Sequence, residues 1–319
     1  MIVTPSKEID ARYRPYRLAL SNRIKYQLRL ARRRFSGNKA LQASLHDGAL
    51  ASKQPQHRVV LYLAWGQITP AKKTALLNLA ASGLDVFVIV NRKSSEDYKA
   101  YLPYARMVMD RPNWGGDFGG WKDGVQYFDL RGYDFLYFVN DSIIGPWAPV
   151  TEHLDAFGQS GAEVFGVTDS VKRMHHIQSY FFGLSAKIFH SAAVQELWQS
   201  FKLINRVQYA IYFGELALSK LLWDFNWYIV APRSELDEAY GVNWHKDAMS
   251  RFSDMLGPKN KYLNNRVILG YTTTTAYYQQ IVEDYHFPIL KVRLLSTHPT
   301  RLSEFDRLLQ DYPHTSAST

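Results

Sequence analysis

Cysteine is absent from the 319 residues, which excludes a disulfide scaffold, a thiolate metal site and a thiol nucleophile. Long apolar runs are absent as well. The strongest stretch, FLYFV at 135–139, has the length of a core strand, far short of the about 18 apolar residues of a membrane span. The opening residues, MIVTPSKEID, lack the apolar core of a secretory signal. A hydrophobic share of 46% excludes wholesale disorder, and the length suits one large domain or two small ones. The expectation is a soluble, cytoplasmic, globular protein.

Net charge is almost absent from the body of the chain. Of the total of +9, +8 lies within residues 1–35, where ten basic side chains (Lys7, Arg12, Arg14, Arg17, Arg23, Lys25, Arg29, Arg32, Arg33 and Arg34) face two acidic ones (Glu8 and Asp10). In the same stretch Tyr16, Leu20, Ile24 and Leu28 recur every four residues and Phe35 follows, an apolar stripe on one side of a helix. A basic amphipathic helix suits an anionic membrane surface, where each cation adds about 1 kcal/mol of attraction. A helix packed on its own domain, or one gripping RNA, would carry the same pattern. Nucleic acid ranks last, because neither a nucleic-acid motif nor an aromatic stacking platform accompanies the charge. The segment SGNKALQASLHDGALASKQPQ, 36–56, reads as a linker. Residues 1–56 are thus expected to form an arm and linker, and 57–319 the main domain.

That domain opens with a strand pattern, RVVLYLAW (58–65), followed by a helical one at 69–83 with Pro70 in its first turn and Gly83 at its end. DVFVIVN (85–91) and ARMVMD (105–110) read as further strands, WKDGVQYFDLRG as a helix and YDFLYFVND (133–141) as a fourth strand. Strands alternating with helices predict an α/β fold, a mostly parallel sheet flanked by helices. Ligands of such sheets bind at the carboxyl ends of strands. Two of those ends are unusual, and they are expected on neighbouring strands. One runs into Arg111-Pro112-Asn113-Trp114-Gly115-Gly116-Asp117-Phe118-Gly119-Gly120, the other into Asn140-Asp141-Ser142. Glycines allow close backbone approach and positive φ, and an Asp at a strand end can hold a hard cation that binds a diphosphate. All of these are also ordinary turn residues.

The run RPNWGGDFGGWKDGV, then YDFLYFVNDSIIGPW, FGVTDS, HIQSYFFGLS and a Glu-led helix, GELALSKLL, resembles the rhamnan synthesis protein F family, whose members build bacterial cell-surface polysaccharides and are assigned as glycosyltransferases. The C-terminal FPILKVRLL fits the family's ending, and the likeness covers about 57–300. More distantly, the first two motifs resemble GT-A transferases, in which an acidic DXD-type motif ends a strand. The resemblance implies a GT-A-like, Rossmann-type domain, a nucleotide-sugar donor such as a dTDP-rhamnose or hexose nucleotide, and a lipid-linked glycan acceptor. It places the protein in the cytoplasm, peripheral at the inner face of the cell membrane, a setting the basic arm would suit.

On that resemblance Asp141 is the expected metal or diphosphate ligand, with Mg2+ or Mn2+ as the cation. The pattern here is Asn-Asp-Ser, so Asn140 replaces the first acid of a DXD. Charge neutralisation by Arg111 or Lys122 is the cation-free alternative. Asn113, Gly115, Asp117 and Asn140 are expected to join Asp141 around the donor, although Asp117 could equally cap the following helix. His176, Gln178, Ser179 and Tyr180 suit a sugar contact, with a buried, hydrogen-bonded Gln as the competing reading. A zinc site at His175 and His176 is not expected, since adjacent strand residues face opposite ways; His298 is a further metal candidate. Glu215, at the expected start of the GELALSKLL helix, is the first candidate for general base, and Asp169 the second. Glu is also favoured in any first helical turn by the helix dipole. The aromatic group Trp223, Phe225, Trp227 and Tyr228 reads as core, and YTTTTAYY (271–278) has strand propensity. The expected function is an inverting glycosyltransferase; the alternative is a catalytically silent carbohydrate-binding or assembly subunit.

Overall fold

The computed structural model describes residues 1–3, 43–171, 174–239, 273–292 and 294. The stripe from Tyr16 to Leu28 and His298 lie outside them. A sheet in the order β1-β11-β8-β10-β6-β3-β4-β5-β2 runs through the molecule, with β9 paired to β8. Its strands are β1 (Ile2–Val3), β2 (Ser44–Asp47), β3 (Arg58–Trp65), β4 (Asp85–Arg92), β5 (Met107–Pro112), β6 (Phe135–Asn140), β8 (Val164–Ser170), β9 (His176–Ile177), β10 (Phe181–Ser185) and β11 (Trp227–Ala231); β7 (Ile143–Ile144) and β12 (Leu290–Lys291) form a separate ladder. Strands β6, β3, β4 and β5 are mutually parallel, while β10 runs antiparallel between β6 and β8. The mixed α/β architecture with a central sheet agrees with the reading from sequence.

Both sheet faces are covered. On β3, Val60, Tyr62 and Ala64 join one core cluster and Val59, Leu61 and Leu63 the other. This is why its sequence reads as a continuous apolar run rather than an alternation. Helix α1 (Pro70–Ala81) begins as expected, with Thr69 accepting from the Lys72 backbone N–H and Pro70 in the first turn. The aromatic group behaves as core: Trp227 is buried, with its indole N–H on the Leu222 carbonyl, and Trp223 and Phe225 pack beside it.

Several expectations need correction. The segment 36–56 is not wholly a linker, because β2 pairs antiparallel with β5 at the sheet edge. Residues Ile2 and Val3 likewise pair with β11. Strands β5 and β6 are not neighbours; β3 and β4 lie between them. The chain leaves β3 in one direction through β4 and β5 and returns to β3's other side as β6, so the crevice between β3 and β6 is the reversal point of the sheet. Helix α2 (Gly116–Tyr127) starts five residues earlier than the pattern WKDGVQYFDLRG suggested. The stretch read as strand at 271–278 instead contains the helical turn Thr273–Ala276 and the start of helix Tyr278–Glu283. Its Thr side chains are taken up by polar contacts, Thr273 Oγ1 donating to the Asp169 carbonyl (2.5 Å) and Thr274 Oγ1 to Gln178 Oε1 (2.9 Å).

Candidate active site

The glycine-rich segment does two separate things. Gly115 adopts φ 79° to turn the chain into α2, a conformation that side chains with a Cβ rarely take. Further along, Gly119 presents bare backbone to the preceding loop and Gly120 to the sheet. A Cβ on Gly119 would clash with the Trp114 carbonyl, and one on Gly120 with Leu63 of β3. Gly120 therefore serves helix-to-sheet packing, and Gly119 the close approach of the Trp114 carbonyl to the helix, rather than ligand approach. With Gly120 letting α2 lie close on β3, the helix's first turn reaches from the end of β5 to the end of β6. There Asn140 Nδ2 donates to Asp117 Oδ2 at 2.8 Å. Asp117 makes no capping bond within its own helix, whose N-cap is Gly115.

A cleft of about 330 Å³ opens beside this contact, lined on one side by Asn113, Gly115, Asp117 and Phe118 and on the other by Ser179, Asn205, Arg206 and Glu215. Asn205 holds the glycine-rich loop at two points: its Oδ1 accepts from Gly115 N (2.5 Å) and its Nδ2 donates to Asn113 O (2.8 Å). Nothing in the local pattern around Asn205 marked it, because its partners lie about ninety residues earlier in the chain. The Asn113 side-chain oxygen is buried with no hydrogen-bond partner among the described residues, an acceptor left for a ligand or water.

Glu215 stands on the opposite wall. It does not open a helix. It ends a π-helical turn, Ala210–Glu215, that follows Val207–Tyr209 and continues into Leu216–Leu221. Interruptions of this kind often lie at functional sites, and the first-turn dipole explanation for this Glu falls away. Gly214, one residue earlier, leaves room only for the ring of Phe118, so α2 and the π-turn meet closely here. Glu215 Oε2 accepts from Ser179 N (3.1 Å) and Ser179 Oγ (2.6 Å), and Oε1 lies 3.5 Å from His176 Nε2.

The other expected residues separate. Asp169 is buried, and its two carboxylate oxygens are engaged by His175 Nε2 (2.7 Å) and Arg233 N (2.7 Å). These contacts hold its ionisation below the usual carboxylate range even though burial opposes it. It is not among the residues lining the cleft. Gln178 is the buried, hydrogen-bonded Gln of the competing reading, accepting from Thr168 and Thr274 hydroxyls at 2.8 and 2.9 Å. Tyr180 is buried, its hydroxyl 2.9 Å from Thr168 Oγ1. The two cations proposed as an alternative to metal are structural. Arg111 is fully buried on Asp123 (2.6 Å) and the Trp114 carbonyl, and Lys122 donates to the Gln199 and Phe201 carbonyls.

Asp141 sits at the β3/β6 crevice. Its backbone N–H donates to Leu63 O, its Oδ2 accepts from Trp65 N (2.8 Å), and the same oxygen meets the Lys72 ammonium at 2.8 Å. Lys72 also donates to the carbonyls of Trp65 (2.7 Å) and Gln67 (3.2 Å). Three oxygens thus saturate an ammonium. The side chain of Asn140 is spent on Asp117 and Ser142. This donor set suits the resident ammonium better than a divalent ion, which would need several free oxygens. Among the described residues, no three Asp, Glu or His side chains are grouped to hold a metal.

One residue here escaped the reading from sequence. Lys291, on β12, is brought in by the pairing of Lys291 with Ile143, next to the Asn140-Asp141-Ser142 turn. Its ammonium donates to Ser142 Oγ (2.7 Å) and stands 4.6 Å from the centroid of the Tyr180 ring. Burial pushes it down to about 8, against the opposing pull of Asp117 and Glu215. Asp117 moves the other way, to about 6, chiefly through burial and secondly through Asp141. Lys291 and the Asn140 bond moderate that rise.

Curated relatives match only parts of the chain. Protein y4gN of Sinorhizobium fredii, described as uncharacterized, is 29% identical over 152 residues, 46% of this chain and 40% of its own length. Virulence protein VirA of Vibrio anguillarum is 40% identical over 83 residues, 25% of this chain and 26% of its own. The matched stretches therefore span well under half of these relatives. Among solved structures, the glycosyltransferase GlyE of Streptococcus pneumoniae aligns with a TM-score of 0.39 and 11% identity, covering 82% of this chain and 66% of that one. The model of the family described as rhamnan synthesis protein F matches residues 86–257, more than half of the 319, and the chain belongs to that family.

Proposed function

We propose that the protein is a glycosyltransferase that moves a sugar, rhamnose or another hexose, from a nucleotide donor to a lipid-linked surface glycan with inversion. One observation carries the reading. Glu215 is held by Ser179 on one wall of a cleft whose other wall is the glycine-rich loop and Asp117. Family membership supports the same class. In the step envisaged, the acceptor hydroxyl oxygen attacks the anomeric carbon and its proton passes to Glu215. The bond from that carbon to the diphosphate oxygen breaks, and its electron pair leaves with the nucleoside diphosphate. Ser179 fixes the carboxylate's position, which is what a general base requires. The Asn113 side chain and the loop backbone would bind donor hydroxyls. The basic segment 1–35 would hold the protein at the anionic inner face of the cell membrane, near a lipid-linked acceptor.

The test is nucleotide release from a panel of UDP-, dTDP- and GDP-sugars, with and without a lipid-linked acceptor. Release from one donor, lost in E215Q, is the expected result. No release from any donor with acceptor present would favour a catalytically silent assembly subunit.

A further inference from the structure

Besides Arg206, which lines the cleft, four cations stand behind its walls and at the neighbouring strand ends, and they differ in what is already bound to them. Arg111 is paired with Asp123, and Lys122 is held by two carbonyls. Lys72 gives its three protons to Asp141, Trp65 and Gln67. Lys291 is different: among the described residues it donates one hydrogen bond, to Ser142, and no carboxylate lies within 4 Å of its nitrogen. Among the described residues it also meets the face of Tyr180 and, further off, the charges of Asp117 and Glu215. A largely buried ammonium with unused protons and no direct counter-ion is costly, and an incoming anion would relieve that cost. Lys291 also sits beside the turn whose one carboxylate, Asp141, is already neutralised by Lys72.

From this arrangement we infer that Lys291 supplies the positive charge that meets the diphosphate of the donor, so that donor binding and leaving-group departure need no divalent cation. The inference rests on the nucleotide-sugar reading above and adds to it the residue that stabilises the leaving group. As the bond to the anomeric carbon breaks, negative charge grows on the diphosphate, and an ammonium already held in place by Ser142 stabilises that charge without reorganising. Ser142 and the Tyr180 ring would orient it. Arg206, exposed at the cleft mouth, would add attraction at longer range.

The experiment is calorimetric titration of the full chain with UDP, dTDP and GDP, in EDTA and then in Mn2+. The expected result is that one nucleotide binds equally in both. K291Q should weaken it by about tenfold or more, the range of a lost charge-assisted contact, K291R should restore part of it, and R206A should have a smaller effect. Because K291Q could misfold, the wild-type comparison of EDTA with Mn2+ stands as an independent arm. Binding that appears only with Mn2+, or binding in EDTA that R206A abolishes and K291Q leaves intact, would overturn the assignment while sparing the transferase. If no nucleotide binds under either condition, both fall together.

Discussion

The carboxylate of Asp141 receives the ammonium of Lys72 at 2.8 Å, joining the end of β6 to the first turn of α1 across the sheet's reversal point. The pair occupies the place where a sheet of this kind binds its ligand, and it sets the local charge to near zero before any ligand arrives. Lys72→Ala should therefore release the carboxylate. We expect the variant to bind Mn2+ more tightly than the wild-type chain, read by calorimetry. Its stability should fall by about 1 kcal/mol, as for a partly exposed pair. Asp141→Ala should reduce turnover more than it lowers the melting temperature; full activity in that variant would remove Asp141 from the donor site.

Glu215→Gln keeps the size of the side chain and a hydrogen bond to Ser179, but cannot take a proton. Turnover should drop by roughly 10²–10⁴-fold, with nucleotide affinity and melting temperature close to wild type. Ser179→Ala should lower turnover less, by freeing the carboxylate to rotate. Equal activity of wild type and E215Q would exclude the general-base role.

Asp117 gives a pH signature. Its ionisation is raised from 3.8 to about 6 in the folded protein, so between those values the folded state keeps a proton that the unfolded chain has lost. Stability therefore declines as pH climbs through that window, and the full penalty is present above about 6. Asp117→Asn removes the penalty. The variant should melt at a higher temperature than wild type at pH 7.5, and the two should converge near pH 4. A constant difference across pH would place the cause elsewhere than in ionisation near Asp141, Glu215 and Lys291.

Gly119 and Gly120 test whether helix packing builds the site. Gly119→Ala meets rigid backbone at Trp114, whereas Gly120→Ala meets the movable end of the Leu63 side chain. Gly120→Ala should cost about 1–3 kcal/mol, the usual range for overpacking, and Gly119→Ala more. In both, nucleotide affinity should fall along with stability, because α2 carries Asp117 to Asn140. Denaturant melts and calorimetry on the same samples would separate packing from binding.

The arm admits a simple check. Replacing Arg32, Arg33 and Arg34 by Glu should abolish co-sedimentation with phosphatidylglycerol vesicles while leaving turnover on a water-soluble acceptor unchanged. Undiminished pelleting would show that this cluster is not the anchor.

Strands β3, β4 and β6 and helix α1 were readable because their signals are local: continuous β-branched and aromatic runs, a Thr-Pro start, glycines at turns. Asn113, Asp117, Asn140 and Glu215 could be singled out for the same reason, as unusual residue types at element ends. The linker reading of 36–56 failed over Ser44–Asp47, whose strand is stabilised by β5, sixty residues away, and not by its own sequence. YTTTTAYY failed because tertiary hydrogen bonds from its threonines outweighed their preference for strands. The charges of the site were the least legible part. Arg111 and Lys122 look available in sequence but are consumed by buried partners. Lys291 looks like any lysine, and its place follows from a ladder with β7 nearly 150 residues earlier. Local periodicity settles which segments become strands and helices. Which cation is spent and which is free depends on long-range neighbours, and only the packed chain brings those together.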